Sequence, residues 1–129
     1  MNDLSGEWDG HFDYPAGFGP STPFLATIKQ AGGRISGSIM EPDLYSGTAP
    51  AKSVIEGIAA GQAVDFTKTY HQVSFGYRDP VDYVGQISEN GDRIIGVWSL
   101  LDMNGSFEMT RQSGHKEAAE REAEVALKR

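Results

Sequence analysis

The chain has no cysteine among its 129 residues, which removes disulfides, thiolate metal sites and cysteine nucleophiles from consideration. Positive charge is scarce: 11 Lys and Arg stand against 18 Asp and Glu, for a formal net charge of −7. The deficit is local. Residues 1–112 hold 7 basic against 14 acidic residues, whereas residues 113–129 hold 4 of each. Nucleic-acid binders usually present a basic face, so an acidic body of this kind turns away nucleic acid and anionic membrane surfaces. No apolar run approaches the roughly 20 residues that span a bilayer. The opening MNDLSGEWDG also lacks the basic start and apolar stretch of a secretion signal, and a cytoplasmic protein is expected. Catalytic signatures are missing too. There is no Gly-x-Ser-x-Gly elbow and no His-Glu-x-x-His pair, and Gly17-Phe18-Gly19-Pro20 lacks the strand-to-helix setting of a dinucleotide loop. No cofactor is expected.

What the sequence does have is short runs rich in Val, Ile, Thr and aromatics, punctuated by glycine, proline and asparagine. Eight such runs lie near 5–14, 22–30, 33–40, 51–60, 62–71, 81–88, 92–101 and 104–111. Gly32-Gly33, Gly61, Asn90-Gly91 and Asn104-Gly105 accept the positive φ of tight hairpins, so consecutive strands should pair antiparallel. Glycines inside the runs, such as Gly10, Gly37, Gly57, Gly85 and Gly96, permit the bends of a closing sheet. The expected fold is all-β: an eight-stranded antiparallel up-and-down barrel over residues 1–112, closed because closure removes exposed edges. Residues 113–129 form a separate segment, a short C-terminal helix or tail. There Glu117 with Arg121, and Glu124 with Lys128, have the i,i+4 spacing of an exposed helix.

Three segments, LSGEW near the start, YVGQISENGDRIIGVWSL and FEMTR, resemble the calycins, the small barrels that include lipocalins, fatty-acid-binding proteins and avidins. The size and strand count resemble the avidins most. In lipocalin-like barrels a Gly-x-Trp on the first strand packs at the closed end against an arginine from the last strand. The resemblance thus implies that Gly6-Glu7-Trp8 and Arg111 meet there. It does not imply biotin binding: Gly10 stands where the avidins carry an asparagine, and Arg78-Asp79-Pro80 where they carry serine and threonine. Trp98 matches a binding-site tryptophan of the avidins, and their assembly through barrel walls implies an oligomer.

Period-two alternation assigns faces. With Trp8 inward, Phe12 and Tyr14 share its face, and Asp9, His11 and Asp13 point outward. Those three have a weak metal-ligand pattern that a solvated face explains as well, and no metal is expected. On the fifth strand Val64, Phe66, Lys68 and Tyr70 share one face. If it is the inner one, Lys68 is an interior cation, which is costly unless paired. Glu56 on the preceding strand is the natural partner, either inside the pocket or at an exposed rim. The long segments around Tyr45 and around His71, Tyr77, Arg78, Asp79 and Tyr83 are candidate lids. On the seventh strand Ile94, Trp98 and Leu100 alternate with Ile95, Val97 and Leu101, so an apolar outer face needs cover.

Three functions remain open. The first is non-catalytic binding of a small, mainly apolar or amphipathic ligand in the lumen, with Tyr14, Phe24, Phe66, Tyr70, Tyr83 and Trp98 as walls and Glu56 and Lys68 as polar anchors. The second is a barrel filled by its own side chains that acts as an oligomeric scaffold. A small isomerase or hydrolase using His71, with Asp79 beside it as a base dyad, is the third. A lumen pocket below roughly 300 Å³ removes the first reading, by the usual size of ligand sites. The outer face of the seventh strand points to a homodimer or homotetramer.

Overall fold

The computed structural model describes residues 3–16, 19, 21–42, 50–71 and 79–112. Tyr45, Tyr77, Arg78 and the 113–129 segment lie outside the described residues. Eight strands follow one another: β1 Gly6–Asp13, β2 Thr22–Ala31, β3 Arg34–Glu41, β4 Ala51–Ala60, β5 Ala63–Tyr70, β6 Val81–Ile87, β7 Arg93–Leu100 and β8 Met103–Arg111. They pair in sequence order into one closed barrel. β8 returns to β1 antiparallel, with Trp8 opposite Arg111 and Phe12 opposite Phe107.

Glycines at φ 62° (Gly32), 61° (Gly61) and 78° (Gly91) make the turns at one end, where only a residue without Cβ sits at no steric cost. Asn104-Gly105 is not a turn. The bend falls at 101–102, with Leu101 at φ 56°, and β8 already includes residues 104 and 105. A Cβ on Gly105 would lie 2.6 Å from the Trp98 ring and 2.0 Å from the Asp13 carbonyl oxygen; that glycine serves close approach rather than reversal. The same bend takes Leu101 off the regular outer face of β7, where alternation alone had placed it.

Inward residues follow the expected period. Trp8, Phe12, Phe24, Ile28, Phe66, Tyr83, Ile94, Trp98 and Phe107 are all buried. Gly10 opens room for the Phe24 ring, whose Cζ would lie 2.3 Å from any Cβ there. Phe24 in turn stacks on Phe12 at 6.3 Å. Phe66 stacks on Tyr83 at 4.9 Å, and Phe107 meets Tyr83 edge-on at 4.9 Å. Rings therefore fill the middle of the barrel.

One end is sealed by Trp8, fully buried, with the Arg111 guanidinium 4.6 Å from its ring centroid. Arg111 donates to the carbonyls of Ser5, Asp3 and Gly91 and to Asp92 Oδ1 at 2.8–3.1 Å. Trp8 Nε1 donates to the Leu4 carbonyl at 3.0 Å, which brings the buried Leu4 across the end.

Candidate functional site

The opposite end holds a partly open cavity of about 190 Å³. It forms where four strands bring five aromatic rings to one rim: Phe12 and Tyr14 from β1 and its end, Tyr70 from β5, Tyr83 from β6 and Trp98 from β7. Val81, Leu100, Met103 and Asp79 complete the wall. Trp98 is fixed by its Nε1, which donates to the Asp13 carbonyl at 3.1 Å. Tyr14 meets Trp98 edge-on at 5.4 Å.

Lys68 is the cavity's cation. Its side chain is 1% exposed and its Nζ donates to Glu41 Oε1 at 2.9 Å. Tyr70 Oη donates to the same oxygen at 2.9 Å. The ammonium also lies 4.7 Å from the Phe12 and Tyr70 ring centroids and 5.2 Å from that of Tyr83, a placement that stabilises a desolvated cation. Burial pushes the Lys68 ammonium below its ordinary value of 10.5, against the opposing pull of the Glu41 carboxylate. Burial first, and the Glu41 charge second, push the Tyr70 and Tyr83 phenols well above their ordinary 10.0.

Of the residues singled out from sequence, Tyr14, Lys68, Tyr70, Tyr83 and Trp98 meet around this cavity. Phe24 and Phe66 stand behind its wall, stacked on Phe12 and Tyr83. Glu56 is a correction. It is exposed on the outer wall with Val54 and Ile58, and the anion beside Lys68 is Glu41. The inner face of β4 carries Ile55 among the small residues Ala51, Ser53, Gly57 and Ala59, and β4 approaches β5 closely at Gly57, where a Cβ would lie 2.5 Å from Phe66 Cα. A signal for Glu41 was present, since it continues the period of the buried Ile35 and Ile39 on β3.

His71 is exposed at the end of β5, its amide donating to the Lys52 carbonyl at 2.9 Å, whereas Asp79 lines the cavity. Among the described residues no hydrogen bond joins them as a dyad. His11 is on the outer wall with its Nδ1 3.2 Å from Asp13 Oδ2. At about 190 Å³ the cavity falls below the roughly 300 Å³ set above for lumen binding, so a ligand of the usual volume is removed from consideration. It is still large enough for a compact molecule, since apolar cavities of roughly 150 Å³ accept benzene.

The closed barrel and the Trp8–Arg111 contact are what the resemblance implied. The fold is a closed eight-stranded antiparallel up-and-down β-barrel. No family model matches the chain, and no curated protein matches it. Among solved structures it is similar to a mutant of the fluorescent protein UnaG, at 14% identity and a TM-score of 0.45. That match covers 83% of this chain and 94% of the other.

Proposed function

We propose that the chain binds a compact, mainly apolar small molecule in the open end of its barrel. The observation that carries this reading is a cavity of about 190 Å³ walled by aromatic rings around one buried, compensated ion pair, the composition usual for small-molecule sites. Charge narrows the ligand. Glu41 already neutralises Lys68, and Asp79 adds a carboxylate to the wall. A neutral molecule with one polar group therefore fits better than an organic acid, whose carboxylate would have to displace Glu41. Titration calorimetry with benzyl alcohol and with benzoate tests this: benzyl alcohol should bind the more tightly, and Val81→Phe, which fills the cavity, should abolish its binding. If neither probe binds, and native mass spectrometry of freshly purified protein shows no adduct, the filled scaffold replaces this reading.

The outer wall supports a second, compatible reading, a twofold homodimer. Val84 and Val97 sit opposite each other on β6 and β7, with Ile95 beside them, and these three are 52%, 54% and 48% exposed. Covering each aliphatic group is worth roughly 1.5–3 kcal/mol. Val97→Glu should shift sedimentation velocity from dimer to monomer with the barrel still folded. A wild-type monomer at high micromolar concentration overturns it.

A further inference from the structure

Lys68 is more than a charge to be neutralised, because it is one of the residues lining the cavity and lies on the buried face of β5. Resting on the reading of the lumen as a binding cavity, we propose that Lys68 is a site of reversible covalent capture. Its amine condenses with a compact aldehyde, of benzaldehyde size, to an iminium whose counter-ion is Glu41.

The reaction balances within the groups present. A proton passes from Nζ to Glu41 Oε1, 2.9 Å away. The freed lone pair forms the N–C bond as the carbonyl π pair moves to oxygen, and proton transfer from nitrogen to that oxygen gives the neutral carbinolamine. The C–O bond then breaks, its oxygen taking the proton back from Glu41 and departing as water through the open end. One ammonium and one aldehyde have become one iminium and one water, with no oxidant or reductant. Charge is conserved in place. The product cation lies where the Glu41 carboxylate and the rings of Phe12, Tyr70 and Tyr83 already surround a cation, so condensation buries no new charge. Burial also favours the free amine over the ammonium, and a desolvated lysine is the usual form of an amine nucleophile. The other lysines of the described strands, Lys29 and Lys52, are exposed on the outer wall and serve as internal references.

The test treats the full-length chain with benzaldehyde and sodium cyanoborohydride near neutral pH, followed by peptide mapping of the trapped benzylamine. The expected result is labelling of Lys68 in about tenfold excess over Lys29 and Lys52, suppressed by benzyl alcohol and lost in Lys68→Met. Because the wild type carries its own references, the result does not depend on that variant folding. Labelling spread evenly over the three lysines, in protein that binds benzyl alcohol, overturns the covalent site and leaves the binding reading standing. If neither benzyl alcohol binding nor selective labelling is seen, both fall. Selective labelling that benzyl alcohol does not suppress overturns the cavity as the route to Lys68.

Discussion

Each end of the barrel holds one cation against aromatic rings, and the two are held in different ways. At the sealed end Arg111 covers Trp8 at 4.6 Å and donates to three main-chain carbonyls and one carboxylate. At the open end Lys68 lies among three rings and donates to the Glu41 carboxylate. Guanidinium keeps its proton and has a rigid fork of donors, whereas an ammonium is a point charge that holds its proton more weakly when buried. The same attraction between cation and ring therefore makes a permanent fastening at one end and a titratable, reactive group at the other. Connections differ too: 32–33, 61–62 and 88–92 turn at the sealed end, and the short 101–102 bend lies at the open end.

The comparison breaks most sharply at Trp8. Trp8→Ala should cost about 3–5 kcal/mol for the lost side chain, with about 0.5–2 kcal/mol more for the cation above it. Urea unfolding reads the loss. If the ends are separate in function, benzyl alcohol affinity under native conditions should change little, because Trp8 does not line the cavity.

Lys68→Met comes next. It leaves Glu41 buried without its cation, and breaking a buried pair costs about 3–5 kcal/mol. Adding Glu41→Leu removes the orphaned charge and should restore most of that stability, since apolar replacement of a whole buried pair is often neutral or better. Arg111→Met has no such full rescue, because three of its four partners are main-chain carbonyls that no second substitution removes, and only the Asp92 carboxylate can be replaced. A double variant at the open end no more stable than Lys68→Met alone would show that the pair stabilises the fold instead of equipping the site.

The pH dependence separates the ends further. Lys68 binds its proton more weakly folded than unfolded. Its contribution to stability is therefore complete above 10.5 and declines as pH falls through the depressed folded value. Tyr70 and Tyr83 work in the opposite direction. They keep their protons when folded but lose them near 10.0 when unfolded, so each withdraws about 1.4 kcal/mol of stability per pH unit above that point. Stability should rise toward pH 10 and fall beyond it, by roughly 1–3 kcal/mol at pH 11. Tyr83→Phe should remove part of the fall, and the double variant without Lys68 and Glu41 should lose the rise. Denaturant midpoints across pH 8–11 measure both, and a profile unchanged in these variants would place the titration elsewhere.

The sealed end was legible in the sequence because its chemistry is local in pattern: Gly6-Glu7-Trp8, Arg111 and glycine turns imply the contact that forms. Alternation also put Val64, Phe66, Lys68 and Tyr70 on one inner face. The open end was harder because Glu41 and Lys68 come from β3 and β5, which are not neighbours in the sheet. Their meeting depends on barrel closure and on side chains crossing the lumen. Bulk misled at β4, where Val54, Glu56 and Ile58 face solvent while Ile55 and four small residues face inward. Lumen volume was hidden for a related reason: Gly10 gives space that Phe24 then takes, an exchange between two strands that neither strand records.

The smallest effect belongs to the bend that was expected at Asn104-Gly105. Leu101 holds φ 56° while 81% exposed, a conformation that costs an ordinary L-residue about 1–2 kcal/mol and is tolerated far better by asparagine. Its side chain recovers little, since most of it remains in water. Leu101→Asn should therefore stabilise the barrel by about 0.5–1 kcal/mol, a gain visible as a higher urea midpoint with an unchanged slope. Leu101 does not line the cavity, so benzyl alcohol affinity should stay the same. That pairing sharpens the contrast with Arg111, where every contact serves stability. A stabilised variant with weakened binding would mean that the strained bend positions Leu100 and Met103, its neighbours on the cavity wall, and that strain at the open end is kept for the ligand.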